Sequence, residues 1–268
     1  MLRKFSKITG FAAIILFLTQ GCSTLSNGHG WGQDVTATPG WKKAGNSALD
    51  AVTSPGVWLP AVTAIMLQYK NLDARISKQA SEHNYLFGSQ TSAANATSWL
   101  DGIAIVSYGA TFLATPSGND SQDWLNNKSK GLAVEGAAIG MTGLFTSELK
   151  GSTHRQRPDK SNYNSFPSGE ASNAAVLTML SILNLKSINI PNSNRWVADV
   201  GLYTVSIGTA WSRVEAQKHY PSDALAGMAL GNFMAAFFYN SFMGLDKGIQ
   251  PQISIGPGEY YLGVHIPF

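Results

Sequence analysis

From about Ala51 to Met243 the chain sets long apolar stretches between short polar breaks, and the stretches have helical rather than strand length. Pro60 suits the first turn of a helix running to about Ala80. A second helix fits Thr97 to Thr115 and stops before Pro116, and Asp120 to Asp123 offer N-cap chemistry for a third that ends near Lys150. A fourth starts at Ser168-Gly169 and ends near Leu185, a fifth covers Asn194 to Trp211, and a sixth runs from Pro221 to about Met243. Small residues four apart, Gly136 with Gly140 and Gly227 with Gly231, predict closely approaching helix backbones. Ala224 to Leu245 is uncharged for 22 residues, long enough to span a bilayer, but it holds Asn232, Asn240, Ser241 and three glycines. Asp101, Glu135 and Asp199 interrupt the other helices, so a tethered globular bundle fits the pattern better than a set of spans.

The flanks differ. Residues 23–48 are rich in Gly, Asn, Ser and Thr with little apolar period and read as a tether. At the other end, Tyr260, Leu262, Val264, Ile266 and Phe268 alternate with other residues, and Gly256-Pro257-Gly258 is a turn signal, so a short β-hairpin is expected. Such a hairpin packs on the bundle or offers an edge to an outer-membrane protein.

Charged residues make up 13% of the chain, against roughly 25% in an ordinary soluble domain. The net charge of +3 comes from scattered Lys and Arg, which gives no stripe for nucleic acid. The single cysteine, Cys22, excludes an internal disulfide. It ends a leader: Arg3, Lys4 and Lys7, then the apolar Phe11 to Leu18, then Thr19-Gln20-Gly21-Cys22. That is the layout of a signal peptide, too short in its apolar core for an ordinary span. Ending in Gly-Cys, it resembles a bacterial lipoprotein leader. The resemblance implies a diacylglycerol (palmitate-type) anchor on Cys22, with Ser23 pointing to the periplasmic face of the outer membrane.

Three segments carry candidate chemistry: Lys150 to Pro158, Phe166 to Glu170, and Ser212 to Asp223. Each is ordinary alone, since basic residues at a helix end complement its dipole and Pro-Ser-Gly is a common turn. Together they suit a tetrahedral oxyanion. Lys150, Arg157 and Arg213 supply fixed positive donors. Ser168 and Gly169, at a helix start, supply a hydroxyl and free N–H groups. A neutral imidazole such as His219 can attack phosphorus, and a carboxylate such as Asp223 can set its tautomer.

This pattern resembles the type 2 phosphatidic acid phosphatases, which share their site with vanadium haloperoxidases and bacterial acid phosphatases. Lys150, Arg157 and Pro158 match the first motif, Pro167, Ser168 and Gly169 the second, and Ser212, Arg213, His219 and Asp223 the third. The resemblance covers roughly residues 100–240. It implies an all-α six-helix bundle (residues 49–248, before a hairpin at 249–268) and no cofactor or metal. His219 would form a phosphohistidine, Asp223 would orient it, and Lys150, Arg157, Ser168, Gly169 and Arg213 would bind phosphate. Glu170 departs from the motif, where the family has its general-acid histidine. Glu170 can donate a proton only with a raised pKa; His154 is the other candidate acid, and loss of catalysis is a third outcome. The expected function is a phosphatase for monoesters or diphosphates of a membrane lipid. A non-catalytic phosphate-binding or envelope-assembly protein is the alternative, with a vanadate haloperoxidase behind it.

Overall fold

The computed structural model describes residues 23–245, 250–256 and 259–265, the last two stretches as backbone. The leader and Cys22 lie outside the described residues, as do residues 246–249, 257–258 and 266–268. Among the described residues there are eight α-helices rather than six: α1 (Trp41–Thr53), α2 (Pro55–Met66), α3 (Leu72–His83), α4 (Gln90–Ala114), α5 (Ser121–Thr153), α6 (Gly169–Ser187), α7 (Asn192–Glu215) and α8 (Pro221–Phe242). Two strands, β1 (Gln250–Gly256) and β2 (Glu259–His265), pair antiparallel with Ile253 opposite Leu262.

The helix α6 is the axis of the bundle and packs against α4, α5, α7 and α8. Between Glu170 and Lys186 it carries no charge and is buried on every face from Ala174 to Leu185. A helix apolar all round belongs at a centre. Burial of Leu177, Leu180, Ile182 and Leu183 contributes about 1.5–3 kcal/mol each. α8 lies against it at two glycines: a methyl on Gly227 would stand 2.5 Å from the Ser168 carbonyl oxygen, and one on Gly231 2.3 Å from that of Ser172. The expected close approach is therefore present there. It is absent at Gly136 and Gly140, where an added methyl meets nothing within 4 Å.

The expected first helix, Pro60 to Ala80, is broken. Pro55, after the extended Ser54, starts α2 instead, and Pro60 lies inside it. A proline there cannot bond the carbonyl four residues back. That carbonyl, on Gly56, is taken by the Asn232 side chain, whose Nδ2 donates to it at 2.7 Å. The break before α3 falls at Lys70 and Asn71, both left-handed (φ 47° and 56°).

The stretch 23–48, expected as a tether, is seated on the bundle at Trp31. Trp31 is fully buried, its Nε1 donates to the Tyr239 hydroxyl at 3.0 Å, and its ring meets Phe112 edge-on. Gly131 makes the room, since a methyl there would lie 2.1 Å from the indole. α1 then begins at Trp41, inside the same stretch. A lone aromatic in a polar segment has no periodicity to announce it. Trp31→Ala should cost about 3–5 kcal/mol of stability, the usual scale for a buried tryptophan. Urea unfolding checks this, and a change under about 1 kcal/mol would restore the tether.

Candidate active site

The site is assembled where three helix ends meet. α5 ends at Thr153, with His154 in a left-handed conformation (φ 44°) as its C-cap. This leaves Lys150 in the last turn, its Nζ 3.3 Å from the Asn164 carbonyl oxygen. Ser168 caps α6: its Oγ accepts from Ala171 N at 3.4 Å, and its own N–H donates to the Asp223 carbonyl at 2.9 Å. That second bond ties the start of α6 to the start of α8. Gly169 sits beside Lys150, 3.8 Å from Nζ to where a Cβ would be. Arg213 is in the last turn of α7 and His219 in the turn before α8.

Lys150, Arg157, Arg213 and Glu170 act on one another electrostatically. Burial lowers the Lys150 pKa, Glu170 raises it again, and Arg157 and Arg213 lower it further. The Nε atoms of Arg157 and Arg213 are buried with no hydrogen-bond partner. Such donors, desolvated and unpaired, are costly unless an anion uses them. Glu170 leaves both Nε atoms unpaired: its Oε1 is 2.9 Å from an Arg213 terminal nitrogen, and its Oε2 is 3.5 Å from His219 Nε2. The carboxylate thus stands between the arginine and the histidine.

His219 is fully buried. Its Nδ1 is 2.6 Å from the Ser165 carbonyl oxygen. A carbonyl only accepts, so Nδ1 carries the hydrogen and Nε2 keeps the lone pair. Burial lowers the His219 pKa against the opposing pull of Glu170 and Ser165, which favours the neutral, nucleophilic form. The 3.5 Å to Glu170 is too long for a strong hydrogen bond.

Asp223 does not play the direct orienting part expected for it. It is the third residue of α8, and its Oδ2 turns back to accept from Tyr220 N at 2.9 Å and Ser165 Oγ at 2.5 Å. Its Oδ1 accepts from Arg155 at 2.6 Å. Burial pushes the Asp223 pKa up, against Arg155, Ser165 and Tyr220. Its reach to His219 runs through Ser165, whose carbonyl holds the ring. Helix-start geometry turns the carboxylate inward, and the ring takes the nearer backbone acceptor.

Several residues of the site carried no readable signal. Arg155 bridges Asp223, Ser222 and Asp73, with 2.6 Å to Asp73 Oδ2, and its guanidinium stacks 4.2 Å over the Tyr220 ring. Asp73 comes from α3, far away in sequence, and accepts from Ser222 N and Oγ at 2.8 and 2.5 Å. Asp101 on α4 was read only as a charge interrupting a helix. Its Oδ1 is buried without a partner, and burial, then Glu170, raise its pKa to about 6 although Arg213 opposes them. His154 is exposed at its helix cap. Glu170 is held at about 2: burial alone would raise it, but a His219 ring that carries a proton on Nε2, together with Arg213, outweighs burial.

Comparison with known proteins bears on the same stretch. The model of the PAP2 superfamily matches residues 132–246, which include all three motif segments. Lipid A 1-phosphatase of Porphyromonas gingivalis is 33% identical over 115 residues, covering 42% of this chain and 24% of that protein. The chain therefore spans about a quarter of that relative's length. A transmembrane PAP2 type phosphatidylglycerolphosphate phosphatase from Bacillus subtilis superposes with a TM-score of 0.48 at 21% identity, over 72% of this chain and 92% of the other.

Proposed function

We propose that this chain, whose residues 132–246 match the model of the PAP2 superfamily, is a phosphatase for phosphorylated lipids, using His219 as nucleophile. The observation that carries the proposal is the hydrogen bond from His219 Nδ1 to the Ser165 carbonyl, which leaves the Nε2 lone pair beside the carboxylate gripped by Arg213. A phosphate entering the cradle displaces that carboxylate. Lys150, Arg157, Arg213 and the N–H groups at the start of α6 then hold the phosphoryl oxygens. The Nε2–P bond forms as the P–O bond to the leaving group breaks, and the leaving oxygen takes a proton from Glu170. Water then attacks phosphorus and gives its proton back to Glu170, releasing phosphate and returning the lone pair to Nε2.

The lipid A 1-phosphatase similarity favours a lipid substrate, with phosphomonoesters or diphosphates as the reacting groups. Phosphate release by the purified protein from a panel of lipid A, phosphatidate and polyprenyl diphosphate tests the reading. Turnover on at least one supports it. No release from any, with tight phosphate binding retained, supports the non-catalytic alternative, which the Glu170–Arg213 ion pair filling the cradle favours.

The leader supports a lipoprotein reading, in which a diacylglycerol on Cys22 tethers the domain to the periplasmic face of the outer membrane. Cys22→Ser should move the protein from the membrane pellet to the soluble periplasmic fraction. Fractionation of whole cells decides it, and a Cys22→Ser protein that still requires detergent would place the anchorage elsewhere.

A further inference from the structure

Away from this site, α1 and α2 form an elbow whose charged residues, Lys42, Lys43 and Asp50, all lie on α1. α2 has no charged residue, and Trp58, Leu59, Val62, Ile65 and Met66 are exposed on it, Ile65 by 72%. Among the described residues no single helix is long and apolar enough to cross a membrane. Together α1 and α2 have that length and composition but bend by 58°. Aromatic and basic residues mark both ends of the elbow. Trp41, 95% exposed, precedes Lys42 and Lys43. Beyond α2, Tyr69 is exposed with the Lys70 ammonium 5.1 Å over its ring.

Behind α2 opens a crevice of 630 Å³, walled by Leu59 and Pro60 from α2, Ile207 and Trp211 from α7, and Leu225 and Met228 from α8. Its polar lining groups are few: Asn232 donates to the Gly56 carbonyl, Thr63 Oγ1 to that of Leu59 at 2.8 Å and Trp211 Nε1 to Glu215 at 2.8 Å, which leaves the Tyr203 hydroxyl. A crevice of this size with so few polar groups suits a hydrocarbon chain. Apolar surface between aromatic and basic ends matches the layered chemistry of a bilayer interface, where rings sit at headgroup level and lysines meet anionic lipid.

We propose that the α1–α2 elbow lies in the interface of an anionic bilayer, with the crevice behind α2 receiving one acyl chain of a membrane lipid. The proposal is independent of the catalytic reading, so either can fail without the other. It places a second membrane contact beside the one expected at Cys22, and that contact would set how the domain is turned against the lipid surface.

Tryptophan fluorescence of the full chain tests it, in vesicles of phosphatidylcholine and phosphatidylglycerol with and without bromine on the acyl chains. Bromine quenches only rings that reach the chains. The triple variant Trp41→Phe/Trp58→Phe/Trp211→Phe should lose most of the quenching. Trp99→Phe/Trp196→Phe, which removes exposed rings on α4 and α7, should lose little; the reverse result overturns the proposal. Trp211 lines the crevice, so unchanged quenching in Trp211→Phe alone overturns the acyl-chain assignment. Leu59→Asp/Ile65→Asp changes exposed positions and should abolish most quenching with unaltered thermal unfolding. Persistent quenching there overturns the docking surface. So does a dimer in detergent that this pair dissociates without any quenching of the parent, which would assign the elbow to a second copy.

Discussion

Replacing His219 should stop turnover. Loss of a covalent nucleophile is expected to lower kcat by about 10⁴-fold or more. The side chain is fully buried and its Nδ1 satisfies the Ser165 carbonyl, so His219→Ala also leaves an orphaned acceptor. His219→Gln is the cleaner variant, because its amide can donate to the same carbonyl. Both should retain phosphate binding, since Lys150, Arg157 and Arg213 are untouched. Steady-state kinetics together with phosphate binding by calorimetry check this. Turnover near the parent rate in a folded His219→Gln protein would remove the histidine from the mechanism.

Glu170→Gln should slow the hydrolysis of simple phosphate esters by about a hundredfold or more, the scale of a lost general acid. An alkoxide leaving group needs a proton in the transition state, whereas a phosphate leaving from a diphosphate needs much less. Diphosphate hydrolysis should therefore suffer far less. The sign of the pH dependence follows from the resting site. Burial would raise Glu170, but His219 and Arg213 hold it at about 2, so at neutral pH it is a carboxylate with no proton to give. Bound phosphate displaces it from Arg213 and sets it near a dianion, which raises its pKa. Asp101, pushed up to about 6, is itself increasingly protonated as pH falls through that value. Ester hydrolysis should accordingly rise toward acidic pH, and Glu170→His should shift it back toward neutrality. Rates on an ester and a diphosphate across the pH range measure this. Equal rates for parent and Glu170→Gln on both substrates would make Glu170 a helix-start residue that merely fills the empty cradle.

Much of this site was legible because its motifs are local. Lys150 with Arg157, Pro167 to Gly169, and Arg213 with His219 each lie within one turn-and-helix segment, and the helix ends that carry them follow from capping residues such as Asp120 and Ser168. The positions that escaped reading depend on partners distant in the chain. Arg155 joins Asp73 on α3 to Asp223 on α8, and nothing near Arg155 announces either contact. Asp223 is expected beside His219 from spacing, but its first-turn position commits it to Tyr220 N and Ser165. Spacing alone also failed to separate Gly227 and Gly231, which admit α6, from Gly136 and Gly140, which face open space. Trp31 anchors a stretch whose composition is that of a linker. There a buried ring in a glycine-made slot outweighs the polar residues around it.

The central claim is that phosphorus becomes bonded to His219. Brief reaction with ³²P-labelled substrate, stopped in alkali to preserve the N–P bond and followed by peptide mapping, tests it most directly. The account predicts label on the peptide containing His219, absent from His219→Gln and chased by water at the rate of turnover. Steady turnover with no trapped label on that peptide, or label on another residue, would contradict it.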